Sequence, residues 1–342
     1  MIVEDSPVVS RLLAHIIARD PRLELAAVVE SAEDALREIH RVRPDVISMD
    51  IRLPGMDGIE ATRRIMSETP TPIVVIAASV EDAALKISMN ALRAGALSVV
   101  EKPVGISNAG YEAAAENICT QLYIMSQVPV IRRRLSAGAA PVRPAAAGEE
   151  PVRERPSIMA IAASTGGPPA LARILGALPA SFPVPILLVQ HMGAPFMAGF
   201  ASWLDGLTPL SVAVARPGET PAPGSVYVAP GDRHLALGGD GALRIGAEPP
   251  VGGQRPSATT LFQSLAAVGP RAIGVLLTGM GEDGARGLVE MRKAGAYTIT
   301  EDESTAVVYG MPGVAMRLGG SRASLPLDLI APRLLRLVER DA

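Results

Sequence analysis

Through the first hundred residues, short and mainly apolar runs alternate with segments whose apolar positions recur every three to four residues. Ile2-Val3, Leu25–Val29, Val46–Met49, Ile73–Ile76 and Leu97–Val100 form these runs, with Ser48 and Ser98 their only polar residues. Runs of this length without polar alternation predict strands buried on both faces. Val8–Arg19, Ala32–Arg41 and Ile59–Ser67 carry the helical period between them. Such alternation predicts a parallel sheet with right-handed crossovers and a site at the carboxyl ends of its strands. A further helical pattern covers about Ala114–Arg134, through Ile118, Leu122 and Met125. It gives way to Ala137–Pro156, a stretch of alanine, proline, glycine and charge without apolar periodicity, which reads as a linker. The chain therefore divides into a first domain over residues 1–120, a linker over 121–156 and a second domain over 157–342.

The second domain repeats the logic. The apolar run Ile158–Ala163 leads into Ser164-Thr165-Gly166-Gly167-Pro168-Pro169 and then a helical pattern through Leu171, Ile174, Leu175 and Leu178. Val184–Val189 ends at Gln190-His191-Met192, and a helix is expected over Phe196–Leu204. Strands follow near Val212–Ala215 and Ser225–Ala229. His234–Leu237 and Ala242–Ile245, joined by Gly238-Gly-Asp-Gly241, predict a hairpin. A helix near Ser257–Ala267 precedes the strand Ala272–Leu277. Thr278-Gly-Met-Gly-Glu-Asp-Gly284 opens another helix, with a strand at Tyr297–Thr300 and a closing helix at Leu327–Val338. The fold expected is α/β, with a doubly wound, mostly parallel three-layer second domain. No internal repeat is evident.

Composition narrows the class. With 342 residues the chain can bury a sizeable core in each of two domains. Aromatic residues are only 3%, so aliphatic side chains must fill the cores, as in sheets covered by helices on both faces. The net charge of −3 gives no electrostatic footprint for nucleic acid. A single cysteine, Cys119, excludes an internal disulfide and fits a reducing compartment. Glu4 and Asp5 interrupt the start, so no signal peptide is expected, and no apolar run is long enough to span a bilayer. A cytoplasmic protein without direct membrane insertion is expected.

In the first domain the polar residues at the predicted strand ends are Glu4-Asp5, Asp50 and Lys102-Pro103. Grouped carboxylates suit a hard divalent cation such as Mg²⁺, and cation and lysine together could neutralise a phosphoryl group carried by one carboxylate. Glu4-Asp5-Ser6-Pro7, Met49-Asp50, Leu53-Pro-Gly-Met-Asp-Gly58 and Glu101-Lys102-Pro103 resemble the signature of two-component receiver domains. The resemblance implies a flavodoxin-like fold. It also implies Asp50 as phosphoacceptor, Glu4, Asp5 and Asp50 around Mg²⁺, and Lys102 on the phosphate. Two positions depart from it. Ala77 stands where receivers usually carry a switch Ser or Thr, with Ser79 two residues on. Val99 stands where a rotating aromatic ring is usual.

In the second domain Ser164, His191 and Asp283 each occupy the turn after an apolar strand, and such turns gather along one sheet edge. Acyl transfer needs a hydroxyl, an imidazole to carry its proton and a carboxylate to fix the imidazole. Ser164 can equally be a helix cap, and Asp283 an anion at a helix N-terminus. His234, beside Asp232, competes with His191 for the role of base. His191 is favoured because its strand should lie beside the Ser164 strand. No G-x-S-x-G elbow is present, which disfavours the common α/β-hydrolase fold. A different class of function hides in Gly279-Met-Gly281-Glu-Asp-Gly284, which matches G-x-G-x-x-G with Glu301 following about 20 residues on. That pattern predicts a dinucleotide-binding oxidoreductase, yet Glu282 and Asp283 would face the pyrophosphate. A non-catalytic or DNA-binding response regulator is the third class, and no basic recognition helix supports it.

Ala163-Ser-Thr-Gly-Gly167, Val189-Gln-His-Met192, Ala229-Pro-Gly-Asp-Arg-His234, Thr278–Gly284 and Tyr309-Gly-Met-Pro312 resemble the chemotaxis protein-glutamate methylesterase family (CheB). The resemblance implies a serine hydrolase that demethylates glutamyl methyl esters on chemoreceptors and deamidates certain receptor glutamines, without a cofactor for hydrolysis. It implies Ser164 as nucleophile, His191 as base and Asp283 as the orienting carboxylate, with backbone amides near Thr165 and Met280 as oxyanion donors. A chemotaxis-type histidine kinase would be the phosphodonor, and the receiver would cover the site until Asp50 is phosphorylated.

Overall fold

The structure, a computed structural model, describes residues 1–77, 90–92, 94–103, 110–128 and 154–338. Ser79 and most of the expected linker, 129–153, lie outside the described residues. The first domain is a five-stranded sheet of β1 (Ile2–Val3), β2 (Val28–Val29), β3 (Ile47–Met49), β4 (Ile73–Ala77) and β5 (Ser98–Glu101). Its order is β2-β1-β3-β4-β5 and every pairing is parallel. Residues of β1, β3 and β4 are almost fully buried, as their mainly apolar sequence predicts, with Ser48 the one polar residue among them. The expected strand Leu25–Val29 shortens to two residues because it forms the sheet edge, where Val28 is left exposed.

Local chemistry marks the helix starts. Ser6 caps the helix Pro7–Ala18 with proline at its first position, and Ser31 caps Ala32–Val42 by accepting the Asp34 N–H. The helix Tyr111–Ser126 starts before its predicted position and runs past residue 120. Leu122, Ile124 and Met125 join Ile118 in the first domain's core. The boundary expected at 120 thus falls inside a helix packed on this domain.

The second domain holds nine strands: β6 (Ile158–Ala163), β7 (Ile186–Gln190), β8 (Ser211–Val214), β9 (Ser225–Val228), β10 (His234–Leu237), β11 (Leu243–Gly246), β12 (Ala272–Leu276), β13 (Tyr297–Glu301) and β14 (Ala323–Leu325). Seven form a parallel sheet in the order β14-β13-β12-β6-β7-β9-β8, and β10 and β11 pair as the expected antiparallel hairpin. β14 and the helix Met311–Arg317 carry too little apolar pattern to be read in advance: β14 is three half-buried residues, and the helix begins Met-Pro-Gly. β6 is central and wholly buried. An Ile161→Ala truncation there would cost about 2–5 kcal/mol through lost transfer energy and the cavity left behind.

The connection direction reverses between β6 and β12. From β6 the chain builds outward through β7, while β12 starts the other half of the sheet. A crevice opens at such a reversal, at the strands' carboxyl ends. The first domain closes over it. Val307 and Val308 of the second domain pack against the first domain's core cluster. A cavity of about 250 Å³ is lined by Leu97, Val99 and Gln121 from one domain and by Ser164, Thr165 and His191 from the other.

Candidate active site

Parallel register brings the three predicted turns together. Ala163 of β6 pairs with Gln190 of β7, and Ala162 pairs with Leu276 of β12. Ser164, His191 and the Thr278 turn therefore emerge side by side. The His191 N–H donates to the Ala163 carbonyl at 3.0 Å, and the Ser164 N–H donates to the Thr278 carbonyl at 3.0 Å. Gln190, almost fully buried, donates from Nε2 to the carbonyls of Ser164 at 2.8 Å and His191 at 3.0 Å. One side chain thus ties both turns. Gly279 must be glycine: a Cβ there would lie 2.7 Å from Ser164 Cβ and 2.3 Å from Met311 Sδ.

His191 Nε2 lies 2.9 Å from Asp283 Oδ2, with both side chains less than a tenth exposed. Asp283 is bound on both oxygens. Oδ2 also accepts the Ala258 N–H at 2.7 Å, while Oδ1 accepts Ser257 Oγ at 2.8 Å and the Thr259 N–H at 3.0 Å. Burial alone would raise this carboxyl, but the His191 and Thr259 hydrogen bonds outweigh it and hold its pKa down at about 2. Asp283 is therefore an anion at a helix N-terminus, though not of the helix that follows it. It sits at the start of Ala258–Ala266, where the exposed amides and the dipole favour negative charge. Facing a carboxylate that only accepts, His191 carries its proton on Nε2. Nδ1 is buried and has no protein partner among the described residues, and His191 and Ser164 line the same cavity.

His234 is not free to compete. It is 2% exposed; its Nδ1 accepts the Ser257 N–H at 3.2 Å and its Nε2 donates to the Pro249 carbonyl at 3.2 Å. Thr165 is buried, lines the cavity and accepts from Thr278 Oγ1 at 2.8 Å through its carbonyl. Met280 follows Gly279 on the same turn, with its side chain 47% exposed. The glycine pattern at 279–284 does not form a phosphate cradle: Asp283 faces His191 and the Ala258 amide. Glu301, 1% exposed, accepts the Thr278 N–H at 2.8 Å and Thr305 Oγ1 at 3.1 Å. The acidic residue that a dinucleotide ribose would need is committed to the fold.

Three contributors escaped the sequence. Ser257 reads there only as the start of a helix, Gln190 only as part of a strand end, and Arg255 carries no signal. Arg255 lines the cavity and donates from Nε to Asp232 Oδ1 at 2.8 Å.

In the first domain, carboxylate oxygens of Glu4, Asp5 and Asp50 lie within 4.8 Å of one another. Lys102 Nζ lies 2.8 Å from Asp50 Oδ2 and 2.9 Å from Glu4 Oε2, and the Ile51 N–H donates to Asp50 Oδ1 at 2.7 Å. Burial pushes the Glu4 carboxyl up, against the Lys102 hydrogen bond, and the charge of Asp50 adds to the rise. For Lys102 burial works downward, yet its hydrogen bonds to Asp50 and Glu4 leave its pKa raised. An oxygen-only donor set that is partly buried and charge-dense fits a hard divalent ion. Ala77 ends β4 opposite Glu101, and its carbonyl accepts the Lys102 N–H at 2.9 Å. Among the described residues, no hydroxyl therefore stands at that strand end.

Among known proteins, a family description reading CheB methylesterase matches residues 159–334, and one for the response regulator receiver domain matches residues 1–109. A protein-glutamate methylesterase/protein-glutamine glutaminase of Paramagnetospirillum magneticum is 55% identical, with 98% of this chain and 96% of that protein covered. One of Myxococcus xanthus is 45% identical over 98% of this chain and 95% of its own. The crystal structure of the Thermotoga maritima CheB methylesterase catalytic domain superposes with a TM-score of 0.52 at 37% identity, covering 54% of this chain and 100% of that one.

Proposed function

This chain belongs to the CheB methylesterase family and carries an N-terminal receiver domain, and we propose that it is a phosphorylation-regulated serine hydrolase acting on chemoreceptors in the cytoplasm. Its reactions are hydrolysis of glutamyl methyl esters and deamidation of particular glutamines, as in the names of its relatives. The observation that carries the reading is the His191–Asp283 pair opening onto a cavity shared with Ser164.

Ser164 Oγ attacks the ester carbonyl as His191 takes its proton, and the Oγ–carbon bond forms. Because Nε2 is held by Asp283, Nδ1 is the nitrogen that receives the proton. Backbone amides at Thr165 and Met280 stabilise the oxyanion. The tetrahedral centre collapses by expelling methoxide, which takes the proton from His191 and leaves as methanol. Water then repeats the sequence on the acyl-enzyme and releases glutamate. The buried, strongly acidic Asp283 stays ionised throughout, fixing the tautomer and stabilising the imidazolium.

In the receiver, Asp50 is the phosphoacceptor, Lys102 contacts the phosphoryl oxygens, and a chemotaxis-type histidine kinase is the donor. Glu4, Asp5 and Asp50 would hold Mg²⁺, which when bound neutralises charge around the phosphoryl group. The cavity of about 250 Å³ admits a side chain or a few waters. A receptor helix about 10–12 Å across does not fit, so the receiver must swing away before the substrate can bind. Ser164→Ala should abolish methanol release from methylated receptor while leaving the fold intact; a variant that still turns over at the parent rate contradicts the reading.

A further inference from the structure

The hairpin β10–β11 lies outside the main sheet, and its one fully buried polar side chain is His234. The partners of that ring have fixed roles. The Ser257 N–H can only donate and the Pro249 carbonyl can only accept, so Nδ1 is the acceptor and Nε2 carries the proton. Ser257 in turn uses its hydroxyl twice. It accepts the Thr260 N–H at 3.3 Å as the cap of the Ala258 helix, and it donates to Asp283 Oδ1 at 2.8 Å. The chain of contacts runs from His234 to Ser257, to Asp283, to His191. Arg255 and Asp232 close the same loop, their side chains 2.7 Å apart at the nearest atoms, with Arg255 also donating to the Glu248 carbonyl at 3.3 Å.

We propose that His234 and Ser257 are positioning residues of the esterase. His234 fixes the backbone of Ser257, and Ser257 fixes the Asp283 oxygen that does not face His191. This rests on the Ser164–His191–Asp283 reading and deepens it. A carboxylate held only by His191 and two amides could rotate about its own axis, and the imidazole would follow. The Ser257 hydroxyl removes that freedom, because it anchors Oδ1 from a direction set by the buried His234 ring. The charge-assisted hydrogen bond to Asp283 is the stronger link, and the His234–Ser257 bond sets its direction.

The test uses the full chain treated with a small phosphodonor, with methanol release from methylated receptor membranes as the rate and the His191 Nε2–H proton resonance as a second readout. His234→Leu and Ser257→Ala should each lower kcat about tenfold with KM unchanged, the loss expected for one buried hydrogen bond. Both should shift the His191 resonance. His234→Asn offers an amide oxygen to the Ser257 N–H and should recover activity to within about twofold of the parent. The double variant should be no worse than the poorer single, since both changes cut one chain. An H234N rate as low as H234L, a loss carried by KM, or additive losses in the double variant would overturn the proposal. If H234L does not fold, S257A and H234N carry the same comparison. Ser164→Ala and His191→Ala separate the two levels: if these are active the triad reading fails. If they are inactive while H234L and S257A match the parent, only the positioning role fails.

Discussion

Val99 of the receiver and Ser164 of the catalytic domain line one cavity, although 65 positions separate them in the chain. Val99 belongs to β5, whose end carries Lys102, the lysine paired with Asp50. The strand that leads to the proposed phosphorylation site therefore also roofs the proposed catalytic one. This short path makes the cover a matter of apolar packing: half-buried Leu97 and Val99 face the crevice, with Val307 and Val308 packed on the receiver core.

Charge at the roof should loosen it. Val99→Asp places a carboxylate in the closed, apolar part of the interface, at a desolvation cost of about 1–3 kcal/mol. The basal methylesterase rate of the full chain should rise severalfold without phosphodonor. An unchanged basal rate, with the fold intact by circular dichroism, would show that this contact does not hold the receiver in place.

Asp283→Asn should lower kcat by about 10⁴, the loss seen when a triad carboxylate becomes an amide. The same carboxyl also links stability to pH. Its folded pKa of about 2 lies below the ordinary 3.8, so its contribution is complete above pH 4 and is lost as pH falls toward 2. Urea unfolding at pH 5 and pH 3 should therefore show the parent losing about 1 kcal/mol more than the variant. Parallel losses would mean that the His191 and Thr259 contacts do not hold the anion.

Glu301 has the opposite sign. Burial raises its pKa above the ordinary 4.5, against the Thr278 and Thr305 hydrogen bonds. Its charge therefore destabilises the fold increasingly as pH rises from about 4.5 through the folded value. Glu301→Gln keeps an acceptor for the Thr278 N–H and a donor for Thr305. Its melting temperature should equal or exceed the parent's at pH 7, and the gap should close toward pH 4.5. Glu301→Leu should be less stable than either, because it orphans the Thr278 amide. NAD and NADP should give no heat of binding at millimolar concentration, since Glu301 and Asp283 are both committed to the fold.

Much of this arrangement was legible in the sequence. Uninterrupted apolar runs placed β6, β7 and β12 because strands buried on both faces leave no alternation to misread. The residue after each strand followed from where such sheets open. His191 could be favoured over His234 because consecutive strands tend to pair, and β6 and β7 do. Asp283 was harder. Its helix N-terminus belongs to Ala258–Ala266, 25 residues upstream, and no local pattern encodes which distant helix an anion will meet. Ser257 was recognisable only as the start of a helix for the same reason, since its bond to Asp283 is purely tertiary. That the receiver covers the site followed only from the family resemblance; that β5 does the covering did not, because β5 reads as an ordinary strand whether its outer face meets solvent or another domain.

The switch is where this chain departs from the receiver pattern. Ala77 ends β4 beside Lys102 without a hydroxyl, and Val99 has no ring to rotate. Asp50 should still accept phosphate from a small donor, but less of the binding energy should reach the roof. Ala77→Thr should increase the stimulation by phosphodonor at least twofold over the parent, a gain of about 0.4 kcal/mol. No change would place the switch elsewhere in the receiver.

The most direct measurement is the rate of methanol release from methylated receptor by three samples: the full chain, the full chain with phosphodonor, and the domain from Ser157 onward. A site under a steric roof predicts the isolated domain clearly fastest and the untreated full chain slowest, with phosphodonor recovering part of the difference and Asp50→Ala abolishing that recovery. Equal rates for the isolated domain and the untreated chain would contradict the account.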